Sequence, residues 1–276
     1  STLLFQDPAL LERTRDAAGL AAFPNMECVV FPCGIFSPKS QLLLPGLLRR
    51  LKADVFHSTN YMIPILHPFP RGKRGRIACV VTLHDLIPLV LPDHAPRSKK
   101  ARLMPVFKGL MREVVRRADA ILTVSESSRR DVIQHLGATP SLVHCTYNGV
   151  STRFSPPPGD AGERAPIVLY VGRLDPYKNV PALVEAFARV RDELPPKARL
   201  RIVAPDDPRY PEARQAVQRL QIGPHVDWVT DASGDALVEE YRRAAVLVLA
   251  SKYEGFGLPV VEAMACGTPV ICSTTS

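Results

Sequence analysis

Short apolar runs alternate along this chain with longer stretches in which apolar residues recur every three to four positions. A short β-branched run bounded by turn residues predicts a strand, and a 3.6-residue period predicts a helix. In the first half, ECVVFP (27–32), DVFHS (54–58), IACVVTLHD (77–85) and AILTV (120–124) predict strands, with helices over 41–51, 98–117 and 126–136. Ser125 stands just before the third helix as its N-cap. The stretch YNGVSTRFSPPPGDAGERAP then carries an Asn-Gly pair, three consecutive prolines and two further glycines. Such a sequence supports neither helix nor strand, and it divides the chain into domains 1–153 and 154–276.

Beyond it the alternation restarts. PIVLYVGR, RLRIVAP, HVDWV, AAVLVLAS and TPVICS predict five strands, interleaved with helices over 180–193, 211–220, 235–243 and 258–266. The strand runs are nearly all apolar, as expected of parallel strands covered on both faces. The pattern therefore predicts an α/β protein of two doubly wound domains.

Composition narrows the class. The chain has 276 residues, 46% of them hydrophobic, enough for two α/β domains and too apolar for a disordered protein. There is neither a run long enough to span a bilayer nor a signal-peptide pattern. The six cysteines, at 28, 33, 79, 145, 266 and 272, form no C-x-x-C pair and lie mostly in apolar runs. They are expected to be buried thiols outside any disulfide or metal framework, in a reducing, cytoplasmic compartment. The net charge of +8 is concentrated in RGKRGR (71–76) and in 97–117, where eight cations face one acid.

Open parallel sheets bind ligands beyond the carboxyl ends of their strands, so the residues that end each apolar run are the candidates. In LYVGRLDPYKN, Arg173 and Lys178 follow a strand and precede a helix, a placement that suits a diphosphate or simply a solvated loop. In SKYEGFGLPVVEAMACGTPVICS, Glu254 precedes a Gly255-Phe256-Gly257 turn and Glu262 lies in the second turn of the helix that opens at Leu258. The glycines let the backbone bend and a ligand approach, and the helix start offers unsatisfied N–H groups to an anion. This is not the dinucleotide fingerprint, because Val260 stands where its third glycine would be. His84, and in the same way His57, ends a strand and is either a hydrogen-bonding or acid/base group or a structural histidine.

Together these motifs resemble retaining glycosyltransferases of family 4, which have the glycosyltransferase B-fold of two Rossmann-like domains facing a cleft. The resemblance rests on the two acids Glu254 and Glu262 with seven residues between them, on VGRLDPYKN, and on TVSESSRRD and YNGV. DVFHSTNYMIP followed by VVTLHDLIP is most similar to members acting on mannose or related sugars. The resemblance implies an N-terminal acceptor-side domain and a C-terminal nucleotide-sugar domain, each lacking its outermost elements here. It implies catalytic roles for Glu254 and His84 at the donor sugar, and ribose binding by Glu262. It further implies donor phosphate binding by Arg173, Lys178 and the segment Gly255, Phe256, Gly257 and Leu258. The substrate is then a GDP- or UDP-linked sugar, with no further cofactor. No Asp-x-Asp occurs in the chain, and no metal is expected. The expected acceptor is a glycan or a lipid-linked acceptor.

The helix over 97–117 carries Leu103, Phe107, Leu110 and Val114 at helical spacing. It is either a core helix with a solvated basic face or a patch that meets anionic lipid at the inner face of a membrane. Nucleic acid is not an expected partner, because the basic clusters lack interleaved aromatics. A non-catalytic, truncated nucleotide-sugar-binding module is the alternative to an active transferase.

Overall fold

A computed structural model of the protein describes residues 1–34, 36–65, 77–91, 104–159 and 162–275. The basic loop 71–76 and the start of the helix expected from 98 lie outside the described residues. The chain forms two compact units, Ser1–Thr82 with Glu113–Ile121, and Leu83–Arg112 with Leu122–Ser276.

In the first unit, β1 (Thr2–Phe5) pairs in parallel with β2 (Glu27–Val30) across α1 (Pro8–Ala17). Asp7 caps α1 by accepting from the N–H groups of Ala9 and Leu10, with Pro8 opening the helix. Neither β1 nor α1 follows from the apolar periodicity. Helix α2 (Pro38–Arg50) starts three residues before the expected helix, capped by Ser37. Its Leu44 and Leu48 pack with Ile77 and Phe56 in a small core. Strand β3 (Val55–Ser58) pairs in parallel with β4 (Ala78–Leu83). His57 on β3 shares a 2.8 Å hydrogen bond with Thr82, which gives this histidine a structural partner.

The short helix α3 (Ile87–Val90) follows β4. Helix α4 (Met104–Arg117) buries Met111, Val114 and Val115, with Phe107 and Leu110 half-buried and Val106 exposed. The buried stripe is thus rotated slightly from the one read in the sequence. No described helix is long and apolar enough to cross a membrane. Strand β5 (Ala120–Thr123) leads into α5 (Glu126–Leu136) with the expected bounds. Ser125 caps α5 by accepting from the Ser128 N–H at 3.0 Å, and Gly137 ends it at φ +70°. Strand β6 (Val143–Cys145) follows, and its successor Thr146 donates its N–H to the Thr123 carbonyl.

The second unit holds the five-stranded sheet. Its strands are β7 (Ala165–Val171), β8 (Arg199–Val203), β9 (Val226–Val229), β10 (Ala244–Leu249) and β11 (Val270–Cys272). They lie in the order β11-β10-β7-β8-β9, and every neighbouring pair is parallel. Tyr170, Leu200 and Ile202 pack against α6 (Val180–Val190) and α7 (Glu212–Arg219). Leu169, Val171 and Leu247 turn toward α8 (Asp235–Arg243) and α9 (Leu258–Ala265). Alternate residues of one strand thus feed two cores, the pattern of a sheet wound on both faces. Helix α6 tightens into a 3-10 turn over Arg191–Glu193, just before Pro195 and Pro196.

Two of the six cysteines, Cys79 and Cys266, are buried, while Cys272 is exposed and the other three are half-buried. The expectation of buried thiols therefore holds for Cys79 and Cys266 only, and it fails most fully for Cys272, which ends the edge strand β11.

Candidate functional site

The order β11-β10-β7-β8-β9 reverses direction between β7 and β10. Chain connections leave these two adjacent strands toward opposite sides, which opens a crevice at their carboxyl ends. The loops after β7 and β10 line that crevice, and they carry most of the residues singled out in the sequence.

The loop after β7 is tightly wound. Gly172 has φ +151°, and a Cβ there would lie 3.0 Å from the Tyr170 hydroxyl oxygen. That hydroxyl donates to the Arg173 carbonyl. A 3-10 turn over Pro176–Lys178 ends in Asn179 at φ +57°, where α6 begins. Asparagine tolerates this left-handed conformation better than most residues.

The two loops are joined directly. The Lys252 N–H donates to the Tyr177 carbonyl at 2.7 Å. Lys178 donates to both carboxylate oxygens of Glu254, at 2.7 and 3.0 Å, and the Ser251 hydroxyl donates to one of them at 2.6 Å. The Lys178 and Glu254 side chains are only 13% and 17% exposed, so solvent screens this pair less than a surface ion pair. Burial, then the nearby Asp175, Glu254 and Asp85 carboxylates, push the Tyr177 hydroxyl well above its usual range.

Arg173 pairs with Asp175, Nε to carboxylate oxygen at 2.9 Å. The arginine is 61% exposed and the aspartate 7%, so Asp175 anchors a guanidinium that otherwise faces solvent. Asp175 did not stand out in the sequence, although an acid between two cations in RLDPYK signals such an anchor.

The turn Gly255-Phe256-Gly257 divides its work. Gly257 holds φ +85° and starts α9, the bend expected of it. Gly255 serves a close approach instead. A Cβ at Gly255 would sit 2.5 Å from the His84 carbonyl oxygen and 2.9 Å from the Asp85 Cβ. Glycine here admits another segment of the protein, so His84 is brought beside the Glu254 loop through its backbone, with an exposed side chain. The Phe256 ring lies 6.4 Å from that of Tyr147, and Leu258 is 42% exposed.

Glu262 and Glu254 are held by different partners. The Tyr241 hydroxyl donates to Glu262 at 2.7 Å from α8. Tyr241 is wholly buried, and burial followed by Glu262 pushes its hydroxyl far up. Glu262 is thus oriented by a neutral tyrosine that cannot be recognised from spacing. Among the described residues no group of three or more His, Cys, Asp or Glu side chains could hold a metal ion.

Comparison with known proteins places this geometry in context. Residues 5–154 match Glycosyltransferase Family 4, and residues 152–276 match Glycosyl transferases group 1. The chain is 35% identical over 178 residues to a D-inositol 3-phosphate glycosyltransferase of Streptomyces bingchenggensis, covering 58% of this chain and 39% of that protein. It is 29% identical over 252 residues to O-antigen chain mannosyltransferase B of Escherichia coli, covering 83% and 59%. The chain therefore spans between 39% and 59% of the length of these relatives. Its fold is similar to that of Anabaena Alr3699/HepE, solved in complex with UDP and glucose, with a TM-score of 0.71 at 20% identity over 100% of this chain and 73% of that one. It is also similar to a sucrose-phosphate synthase from Thermosynechococcus elongatus, with a TM-score of 0.70 at 23% identity over 92% and 67%.

Proposed function

The chain belongs to glycosyltransferase family 4, and from that premise we propose that it serves a retaining transfer of a hexosyl group, mannose-like by preference, from a GDP- or UDP-linked sugar to a glycan or lipid-linked acceptor. The observation that carries this reading is the Lys178–Glu254 pair, which joins the two loops at the switch point of the sheet. The mannosyltransferase relative and the neighbour solved with UDP and glucose support the donor class.

In this reading the leaving group is a nucleoside diphosphate, and stabilising its growing negative charge is the main catalytic task. Lys178 has a third N–H to offer a phosphate oxygen while two engage Glu254. Arg173, steadied by Asp175, supplies a second cation. Backbone N–H groups from Gly255 to Leu258, at the positive end of α9, meet the phosphates and the sugar. Glu254 works at the sugar near the reaction centre, His84 reaches the same sugar, and Glu262 holds the ribose. Residues 154–276 form the donor side and 1–153 the acceptor side. The cations of 71–76 and 97–117 support an acceptor presented at the cytoplasmic face of an anionic membrane.

Incubation of the full-length protein with radiolabelled GDP-mannose and UDP-glucose, with and without Glu254→Gln, tests the proposal. Transfer by the native protein and its loss in the folded variant are expected. Undiminished transfer by Glu254→Gln would overturn the assignment, and nucleotide binding without turnover would mark a binding module.

A further inference from the structure

Helix α5 presents two polar side chains one turn apart, Ser128 and Asp131, to the loop that carries Glu254. The Ser128 hydroxyl is wholly buried. It lies 3.1 Å from the His84 carbonyl oxygen and 3.2 Å from the Gly255 carbonyl oxygen. One hydroxyl has a single proton to give, so the two carbonyls share it. The Ser125 hydroxyl donates in turn to the Ser128 oxygen at 3.2 Å. One turn on, Asp131 accepts from the hydroxyl of Tyr253, which is 5% exposed. The helix therefore grips the loop at Tyr253 and at Gly255, the residues on either side of Glu254.

We infer that Ser128 is a positioning residue for the transfer site: its buried hydroxyl, seconded by Asp131, sets the spacing between the His84 segment and the Glu254 loop. The inference rests on the roles proposed above for Glu254 and His84. A buried serine commonly satisfies one stray carbonyl. Here the two acceptors belong to the two segments that carry the proposed sugar-side groups, and they meet where only glycine fits. Without the hydroxyl, both carbonyls are buried with that donor gone. The loop relieves them by moving outward, and Glu254 moves with it. Lys178 and Arg173 stand on the other loop and keep their place there, so nucleotide affinity falls less than turnover.

The test compares full-length native protein with Ser128→Ala and, independently, Tyr253→Phe. Three quantities are read: kcat with whichever of GDP-mannose and UDP-glucose the native protein turns over, the Kd of the matching nucleoside diphosphate, and amide hydrogen exchange across residues 254–258. The expected result is a fall in kcat of about 10- to 100-fold, a smaller rise in Kd of no more than about fivefold, and faster exchange across 254–258. An unchanged kcat in both variants, or kcat and affinity falling equally along with the melting temperature, would overturn the inference. If the native protein transfers no sugar, the proposed function fails instead, and exchange alone then decides the clamp: unchanged exchange in both variants refutes it. Should Ser128→Ala not fold, Tyr253→Phe reads the same three quantities.

Discussion

Replacing Gly255 with alanine tests the packing of the site most sharply, because the structure supplies the magnitude. The new Cβ would lie 2.5 Å from the His84 carbonyl oxygen and 2.9 Å from the Asp85 Cβ, where ordinary contact begins near 3.4 Å. The two segments must separate by about 0.9 Å to restore van der Waals contact. Neither clashing atom is the tip of a flexible side chain, and the His84 carbonyl is also held by Ser128. Overpacking of this kind costs about 1–3 kcal/mol of stability. A displacement near 1 Å in the loop bearing Glu254 costs about 100-fold in turnover. Gly257→Ala is the control, because its nearest neighbour would be Val260 Cγ2 at 3.7 Å. There the penalty is conformational, about 1–2 kcal/mol for a left-handed alanine. Urea denaturation followed by intrinsic fluorescence, together with donor turnover, reads both effects. A Gly255→Ala protein with native stability and native turnover would refute the close approach and the reasoning built on it.

Other substitutions probe neighbouring links. Tyr241→Phe removes the hydroxyl that orients Glu262, and a hydrogen bond to a charged group is worth about 1.5–3 kcal/mol. Calorimetry should show nucleotide affinity lowered about tenfold, and native affinity would speak against a ribose role for Glu262. Hydrogen bonds from Arg116 and then Arg117 lower the Glu113 carboxyl to about 2. A depressed carboxylate stabilises the fold above its unfolded pKa and loses that contribution as pH falls toward 2. With Arg116 68% exposed and Glu113 30%, solvent screening limits the effect to about 0.5–1 kcal/mol. Glu113→Gln should therefore flatten the acid limb of a melting-temperature profile between about pH 4.5 and 2, and an unaltered limb would exclude the effect.

The strands and helices of residues 165–272 were legible because parallel strands buried on both faces are written as apolar runs. The turn chemistry between those runs marks their ends. Strand β1 and helix α1 were not legible by periodicity, since β1 is four residues long in a two-stranded sheet. The readable signal there was chemical, Asp7-Pro8 at a helix start. Spacing brought Glu254 and Glu262 to notice, yet it does not place Lys178 on Glu254 across 76 positions. That contact follows only from strand order, which puts β7 beside β10. Partners on other elements, such as Tyr241, Ser128 and Asp131, were invisible for the same reason. Arg164 is a further case: it binds the Arg242, Ala244 and Cys266 carbonyls and the Thr268 hydroxyl. In the sequence it is one cation in a proline-rich linker. The glycines were legible as necessary, but for Gly255 the reason differs: a neighbouring backbone occupies the space expected to admit a ligand.

Everything proposed about the site turns on whether the loops joined by Lys178 and Glu254 hold a nucleoside diphosphate. Calorimetric titration of the full-length native protein and Lys178→Ala with GDP and with UDP measures this directly. The account predicts saturable binding of one nucleotide by the native protein and about a 100-fold weaker Kd in the variant, the loss of a charge-assisted contact to phosphate. Equal affinity in the two proteins, or no binding of either nucleotide by the native protein, would contradict it.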